Sequence, residues 1–528
     1  MTDKPDPSAP SSDYSAMAPY WGMVSAILGG APAMRSACKN YLPQFENEGD
    51  KDYKIRVEHA PFTNIYADIS RNLASKPFSK ETVLAEGAPD IMVGTMDASK
   101  KRSGGLVDNI DGQSNSLHVF ASKSFKTGMD KGLSWILVDY TRSRPNPDGR
   151  PLTRAEETAQ KLRPYWVHVP PEQVIAAYSV FVGGVEVLAH VRLLEVSRVR
   201  DGFKEVTRRC VRVLDRIVTE IGPDDMPVAL GGAIWTLWEE IEDKPNGTKS
   251  WVVKDQGEYT IGEIPMVPFI PGERHGTSFV VDPPLRDVAY MQVEEFQQES
   301  NLKATKTLTA FPMLAGNGVP GTGADGKSIV VPVGPRSVLF APPGMDGSHG
   351  EWVFIEPSAS SLTFLKEDLA AHRQEMRDLG MQPLMAANMT VITAANVSKK
   401  ASSQVQAWAI LFKDTLDRAL ALTSKWLNIP DQTEAVVYTD FAVETGEGKE
   451  LDALLKAEGQ GIISKRTVAL EFKRRGILAD GYDQDEEDER LALQNEGLEP
   501  EDEIDPVTGE PITGVLASEL FAEDEEAA

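Results

Sequence analysis

The most conspicuous chemical motif in the sequence is a glycine-rich run that ends in Lys327 and Ser328. The run Gly321–Ser328 reads GTGADGKS and fits the phosphate-binding pattern G-x-x-x-x-G-K-[ST]. In that pattern, backbone N–H groups hold nucleotide phosphates between a strand and the helix that follows it. Here Pro320 precedes the run, and strand-like residues 329–332 follow it where a helix is required. A glycine-rich turn is the favoured interpretation, and a P-loop ATPase using Gly321–Ser328 remains an alternative.

The residues of this sequence do not support any other catalytic pattern. The seven histidines lie apart, and neither an H-E-x-x-H metal motif nor a G-x-S-x-G nucleophile motif is present. Trp135–Asp139 resembles a strand that places a magnesium-binding Asp, but it lies upstream of the glycine loop, in the wrong order. Cys38 and Cys210 have no metal-ligand spacing and cannot make a disulfide framework. We therefore predict no enzymatic activity, no metal and no cofactor.

The charge of the chain is unevenly distributed. Of the net charge of −26, Gly481–Ala528 carries −17 and the remaining residues carry −9. Such an acidic tail is predicted to be solvated and disordered. The body lacks the basic surface of a tight DNA binder. The length of 528 residues allows about three domains, and no apolar run reaches the roughly 18 residues of a transmembrane helix.

The elements that must position any functional residues centre on three predicted helices. They are Leu285–Leu308, Ser361–Leu379 and Ser403–Leu427, and a polar, methionine-containing run, Met381–Ala401, separates the last two. The second helix carries a heptad-like seam, which predicts lengthwise packing on another helix. The third has a broader stripe with a period of 3.6 residues, typical of a helix docked on a core. The seam consists of Leu362, Leu365, Leu369, His372, Met376 and Leu379.

Upstream of these helices the patterns alternate between helix and strand. Leu117–Phe125 has helical spacing, Trp135–Val138 reads as a buried strand, and Val174–Val281 contains several β-rich runs separated by turn residues. Short helices are predicted near Lys449–Ala457 and Lys465–Arg475. The predicted fold class is α+β.

The order of several sequence pieces resembles that of the portal proteins of tailed bacteriophages. The pieces are YLPQFENEGDKDY, RVEHAPFTN and NLASKPF; DNIDGQSNSL and WILVDY; IPMVPFI; LRDVAYMQVEEFQQESNLK; and FIEPSASSLTFLKEDLAAHRQEMRDLG, followed by the polar loop and the third helix. The resemblance covers about Lys39–Gly476. It rests on the order of many pieces, because no single motif is a catalytic fingerprint.

The resemblance implies a portal fold with an α/β wing, a two-helix stem, a β-containing clip, a long helix behind a tunnel loop, and a helical crown. It implies a ring of about twelve subunits at the unique vertex of the virion capsid, assembled in the host cytoplasm. The implied segments are a flexible N-terminal arm (1–38), wing (39–282), stem helix 1 (283–311), clip (312–356), stem helix 2 (357–380), tunnel loop (381–402), long helix (403–427), crown and C-terminal region (428–480) and acidic disordered tail (481–528).

The same resemblance implies the partners and the site residues. Double-stranded DNA would pass through the ring without sequence-specific contacts. The terminase large subunit, adaptor or tail proteins, the major capsid protein and a scaffold protein would dock on it. The implied site residues are Asn388, Thr390, Asn396, Lys399 and Lys400 in the tunnel loop, Lys303 and Lys306 in the stem channel, and Lys327 and Arg336 in the clip.

Each of these residues also has a structural interpretation. Lys399 and Lys400 would be an exposed pair ahead of a helix, and Lys303 and Lys306 would lie on a solvated outer face. Asn388, Thr390 and Asn396 would only form the loop, and Lys327 and Arg336 would be exposed to solvent. A different structural head protein, such as a capsid or adaptor subunit, is the second alternative function.

Overall fold

The structure of the protein, a computed structural model, combines helices and antiparallel sheets. It describes residues 6–46, 48–96, 102–142, 150, 153–222, 227–243, 248–310, 313–317, 351–355, 359–380, 391–430, 433–439, 448–474, 478, 482 and 484–496. The chain divides into two compact units, Met1–Phe441 and Ala442–Ala528. The mixture of helices and strands confirms the predicted α+β class.

The helices of the first unit are α1 Ser12–Leu28, α2 Gly30–Ser36, α3 Cys38–Tyr41, α4 Asp50–His59, α5 Ile65–Ser75, α6 Asp90–Val93, α7 Leu117–Lys131, α8 Arg154–Ala159, α9 Arg286–Ala310, α10 Ala359–Leu379 and α11 Val391–Leu427. The strands are β1 Val83–Leu84, β2 Gly94–Met96, β3 Arg102–Gly104, β4 Ser134–Tyr140, β5 Pro164–Val169, β6 Val174–Val182, β7 Val185–Asp201, β8 Lys204–Ile221, β9 Pro227–Asp243, β10 Thr248–Tyr259, β11 Met266–Phe269, β12 Glu273–Arg274, β13 Val281–Asp282, β14 Met313–Asn317, β15 Glu351–Ile355 and β16 Ala435–Val436. The second unit contains α12 Gly448–Gly459, α13 Lys465–Arg474 and α14 Gln484–Glu496. None of the helices in the described ranges is both long and apolar enough to span a membrane.

The main core lies between a three-stranded sheet and helices α7 and α11. The sheet has the order β11–β4–β5, and all of its pairings are antiparallel. Phe412 of α11 is completely buried, and its ring contacts those of Phe125 on α7 and Phe269 on β11 at centroid distances of 5.4 and 4.7 Å. Trp166 of β5 donates a hydrogen bond of 2.8 Å to Thr423 Oγ1. The predicted docked helix and the predicted buried strand are therefore both confirmed.

The described part of the N-terminal arm that was predicted to be flexible (1–38) is instead largely helical, and α1 belongs to this core. Helix α1 begins after Ser11, whose Oγ accepts a hydrogen bond from the backbone N–H of Tyr14. Tyr20 and Trp21 donate hydrogen bonds to backbone carbonyls at the end of α7, and Ile27 is completely buried. The prediction was wrong because the polar composition of the first residues hid an apolar helix that buries its larger side chains.

The β-rich runs form one antiparallel meander with the strand order β10–β9–β8–β7–β6. Its middle rests on the main core through buried side chains that include Val191 and the Leu214 directly opposite it. Arg212 of β8 pairs with Asp139 of β4 at 3.0 Å and with Glu195 of β7 at 2.7 Å. This ion-pair cluster joins the meander to the three-stranded sheet.

Two other sequence predictions need correction. Helix α11 begins at Val391, so residues 391–402 are helical, whereas a loop was predicted over 381–402 with the helix starting at Ser403. The segment 391–402 contains neither proline nor glycine, and its alanines and lysines favour a helix. In the second unit, α14 lies within the tail 481–528 that was predicted to be disordered, because its Leu, Ala, Arg and Glu residues favour a helix. The helices predicted near 449–457 and 465–475 are confirmed as α12 and α13.

Candidate channel-forming region

Helices α9 and α10 form an antiparallel pair that leaves the core and returns to it. Strand β14 follows α9, strand β15 precedes α10, and the two strands pair antiparallel from Met313 with Ile355 to Asn317 with Glu351. On α10, Leu369 and Met376 are buried, and His372 Nε2 lies 3.0 Å from the carbonyl oxygen of Met291 on α9. The predicted lengthwise packing of this helix is therefore confirmed, although Leu379 at the end of the seam is exposed.

The base of this helix pair contains a buried ionic cluster. Glu295 of α9 is 0% exposed, and its Oε1 accepts hydrogen bonds from Nε and Nη2 of Arg373 on α10 at 2.9 and 2.5 Å. Arg373 also pairs with Glu299, one helical turn along α9, at 2.8 Å. The second Glu295 oxygen, Oε2, accepts a hydrogen bond of 3.0 Å from Gln292. One guanidinium therefore bridges two carboxylates across the two helices.

The same cluster fixes the helix pair to the beginning of α5. Gln292 Oε1 accepts a hydrogen bond of 2.9 Å from the backbone N–H of Tyr66, and Gln292 Nε2 donates one of 3.0 Å to the carbonyl of Thr63. Arg377 of α10 pairs with Asp68 of α5 at 3.2 Å. The position of the helix pair is therefore set by polar contacts as well as by apolar packing.

Burial perturbs the protonation of Glu295. The pKa of Glu295 is raised to about 7, chiefly by removal of the carboxyl from water and also by the adjacent Glu299, while Arg373 and Gln292 act in the opposite direction. The folded state therefore binds this proton more tightly than the unfolded state does. The resulting stability is fully present below the unfolded pKa near 4.5 and is lost as the pH rises through about 7.

We predict that Glu295→Gln removes this pH dependence. From about pH 5 to about pH 8, the group should contribute a fall of up to about 3 kcal/mol in the free energy of unfolding of the wild-type protein. The neutral amide cannot titrate, so this component should be absent from Glu295→Gln in urea titrations at several pH values. Glu299→Gln is the control: it leaves Glu295 in place and removes one of the charges that raise its pKa, so it should retain the fall at a reduced size. If the free energy of unfolding changed with pH in the same way for the wild type and Glu295→Gln, the assignment of this pH dependence to Glu295 would be refuted.

A second polar cluster resembles a catalytic arrangement but is structural. Ser70 Oγ donates a hydrogen bond of 2.5 Å to Asp130 Oδ1, and Lys126 Nζ lies 2.6 Å from Asp130 Oδ2 and 3.2 Å from Ser70 Oγ. Ser70 is completely buried, so a substrate has no access to it. The cluster holds α5 against α7. In the part of the chain that the structure describes, no group of three or more His, Cys, Asp or Glu side chains is placed to hold a metal ion.

The structure places some of the predicted site residues and not others. Lys303 and Lys306 lie exposed on α9, and Lys303 Nζ donates a hydrogen bond of 2.8 Å to the carbonyl of His59. Asn396, Lys399 and Lys400 belong to the first turns of α11. The remaining predicted site residues, which are Asn388, Thr390, Lys327 and Arg336, lie outside the described residues, as does the glycine-rich run Gly321–Ser328.

Sequence reasoning did not find the ionic cluster at the base of the helix pair. Its signal is the placement of Gln292, Glu295 and Glu299 at intervals of three and four residues, which puts three polar positions on one face of α9. A polar face of this kind does not by itself indicate a buried partner. Here the face meets Arg373, which lies directly beside the seam residue His372.

Comparison with known proteins gives two similarities. The model of a family described as "Domain of unknown function (DUF4055)" matches residues 284–427. This match extends from the start of α9 to the end of α11. The comparison with curated proteins gave no match.

Among solved structures, the chain is similar to one described as "Neck of native GTA particle computed with C12 symmetry". The identity is 12% and the TM-score is 0.39, over 83% of this chain and 98% of the other. A TM-score this low does not establish a shared fold.

Proposed function

We propose that the protein is a portal-type subunit, which assembles into a ring and forms a conduit for double-stranded DNA in a phage-like virion. The supporting observation is the excursion of α9 and α10 from the core. Its base is fixed by the cluster of Arg373, Glu295 and Glu299, and the paired strands β14 and β15 lie at its far end. A stem with a β-containing clip has this construction.

The order of the elements after the excursion supports the same proposal. Helix α11 follows the returning stem helix and buries its second half in the core from Val405 to Thr423. In the proposed ring, residues 39–282 form the wing, α9 and α10 the stem, 312–356 the clip, 381–390 the tunnel loop, and 428–480 the crown. The matched family model covers this sequence from the first stem helix to the end of α11.

The charge of the chain suits a conduit that contacts DNA without holding it. Each phosphate contact by Lys or Arg adds affinity irrespective of sequence. We propose that Asn396, Lys399 and Lys400, whose positions share one face of α11, contact DNA together with Asn388 and Thr390. Lys303 and Lys306 would add contacts along the stem. Because the lysines are few and the net charge of the chain is −26, the affinity for DNA would stay low.

The proposed partners follow from the proposed position in the particle. The terminase large subunit and the adaptor or tail proteins would bind the clip, where Lys327 and Arg336 are candidate contacts. The major capsid protein and a scaffold protein would surround the wing. No chemical step is assigned to the protein itself.

The native mass of the purified protein tests the proposed ring, together with end-on electron micrographs of the same sample. We expect an assembly of about twelve copies of the 57.7 kDa chain, with a central hole in end-on views. A protein that stays monomeric at all concentrations, with and without a scaffold protein, would contradict the proposal. Closed shells without a hole would instead favour a capsid-like head protein.

A further inference from the structure

The hairpin of β7 and β8 extends beyond the rest of the meander. The pairing of β8 with β9 ends at Cys210 with Glu239, whereas the pairing of β8 with β7 continues to Asp201 with Lys204. The segment Val196–Arg209, which we call the ribbon, is therefore a two-stranded projection roughly 20 Å long. All of its residues are exposed.

The ribbon carries exposed apolar side chains although water reaches both of its faces. Val199 and Val206 are direct cross-strand partners, and they lie on the same face as the buried pair Val191 and Leu214. On that face the residues between the two pairs include Glu195, Ser197, Arg208 and Arg212, so Val199 and Val206 form a separate apolar pair beyond the core. At the tip, Phe203 is 103% exposed. Because an isolated two-stranded hairpin is only marginally stable in water, a ribbon of this composition is expected to be covered.

The charge of the ribbon indicates what covers it. The ribbon contains five basic and two acidic residues, a net charge of +3, in a chain whose net charge is −26. Outside the ribbon and the acidic tail 481–528 the chain carries a net charge of −12, so the body of a second copy complements the ribbon. Arg208 and Arg209 of the ribbon also pair with Glu239 and Glu240 of their own chain. DNA would also attract the basic residues, but it offers nothing that would bury the apolar pair and Phe203.

The opposite end of the same meander also exposes apolar side chains. Strand β7 runs from this end, at Val185, to the ribbon, so the two surfaces are separated by roughly 50 Å. Glu220 of β8 adds a negative charge there. The exposed apolar side chains of this far end are Phe181, Val185, Ile217, Val218, Ile221 and Val228.

We propose that the ribbon of one copy docks on the far end of the meander of the next copy. The two surfaces are different and lie at opposite ends of one sheet, so the contact is head-to-tail, and repetition of such a contact closes a ring when the rotation permits. This inference rests on the proposed ring, and it identifies the ribbon as a subunit contact.

Cysteine pairs test the contact directly. Phe203→Cys and Ile221→Cys are introduced together into a Cys38→Ser background, in which the buried Cys210 is kept, and the assembly is oxidised mildly and separated under denaturing conditions. We expect a ladder of covalent oligomers from the double variant and none from either single variant. Covalent dimers from Phe203→Cys alone would overturn the proposal, because they would show ribbons meeting around a two-fold axis.

A polar ribbon provides a second measurement. Replacement of Phe203, Val199 and Val206 by serine should lower the fraction of assembled protein about tenfold or more, with an unchanged melting temperature of the chain. The control is Ile55→Ser, which removes an exposed apolar side chain of α4 and should assemble normally.

The outcomes separate this inference from the proposed function. Rings that form normally with the polar ribbon, and no covalent ladder, would overturn the ribbon contact alone. A covalent ladder from open chains that never close would support the contact and contradict the conduit. If the double-cysteine variant, with no polar substitution in the ribbon, neither assembles nor forms cross-links, both the ribbon contact and the proposed ring are overturned.

Discussion

Replacement of Arg373 by methionine is expected to lower the free energy of unfolding by about 3–5 kcal/mol. The substitution leaves Glu295 completely buried without its cationic partner, and it also removes the pair with Glu299. The loss should be largest at about pH 8, where Glu295 is ionised, and smaller near pH 5, where the carboxyl binds a proton. Urea titrations at the two pH values measure both quantities.

Matched variants separate the buried cluster from a general effect of lost charge. Arg377→Met, on the same helix as Arg373, removes a partly exposed pair with Asp68 of α5 and should cost at most about 1 kcal/mol. The double variant Arg373→Met with Glu295→Gln should recover much of the loss, because no buried charge remains. A loss for Arg373→Met that equals that of Arg377→Met at both pH values would show that the cluster does not fix the stem.

Replacement of Phe412 by alanine is expected to cost about 3–5 kcal/mol of unfolding free energy. The ring of Phe412 lies at the centre of an aromatic group that joins α11 to α7 and β11, and it contacts the rings of Phe78, Phe125 and Phe269. Truncation removes these contacts and leaves a cavity in a packed core.

Phe364→Ala is the control for this prediction, because that ring is 67% exposed on α10 and its loss should change stability little. Chemical denaturation of the three proteins gives the comparison. Equal midpoints for Phe412→Ala and the wild type would mean that α11 is not docked through this face.

The sequence predicted the elements whose periodicity is set by a single buried face. The stripe of α11 and the strand β4 were found because apolar side chains recur wherever the element contacts the core. The start of α11 was missed because residues 391–402 lack that stripe, although their composition favours a helix. Helix α1 was missed for the opposite reason, since a strongly polar, proline-containing start masked the apolar side chains that follow.

Much of the candidate functional region could not be predicted from the sequence because it depends on tertiary contacts. Arg373 lies more than seventy residues after Glu295 and Glu299 and meets them only because α10 returns antiparallel along α9. In the same way, the exposure of Val199 and Val206 follows from the point at which β9 stops pairing with β8. Neither feature has a motif, since the first arises from the packing of two helices and the second from the position at which a strand stops pairing.

A cryo-electron-microscopy reconstruction of the purified assembly would test the proposed conduit most directly. We predict a closed ring with an open axial hole, in which α9 and α10 of every subunit run beside the hole and the first turns of α11 lie near it. A closed assembly without a continuous hole, or a ring with α9 and α10 on its outer rim, would contradict the proposal.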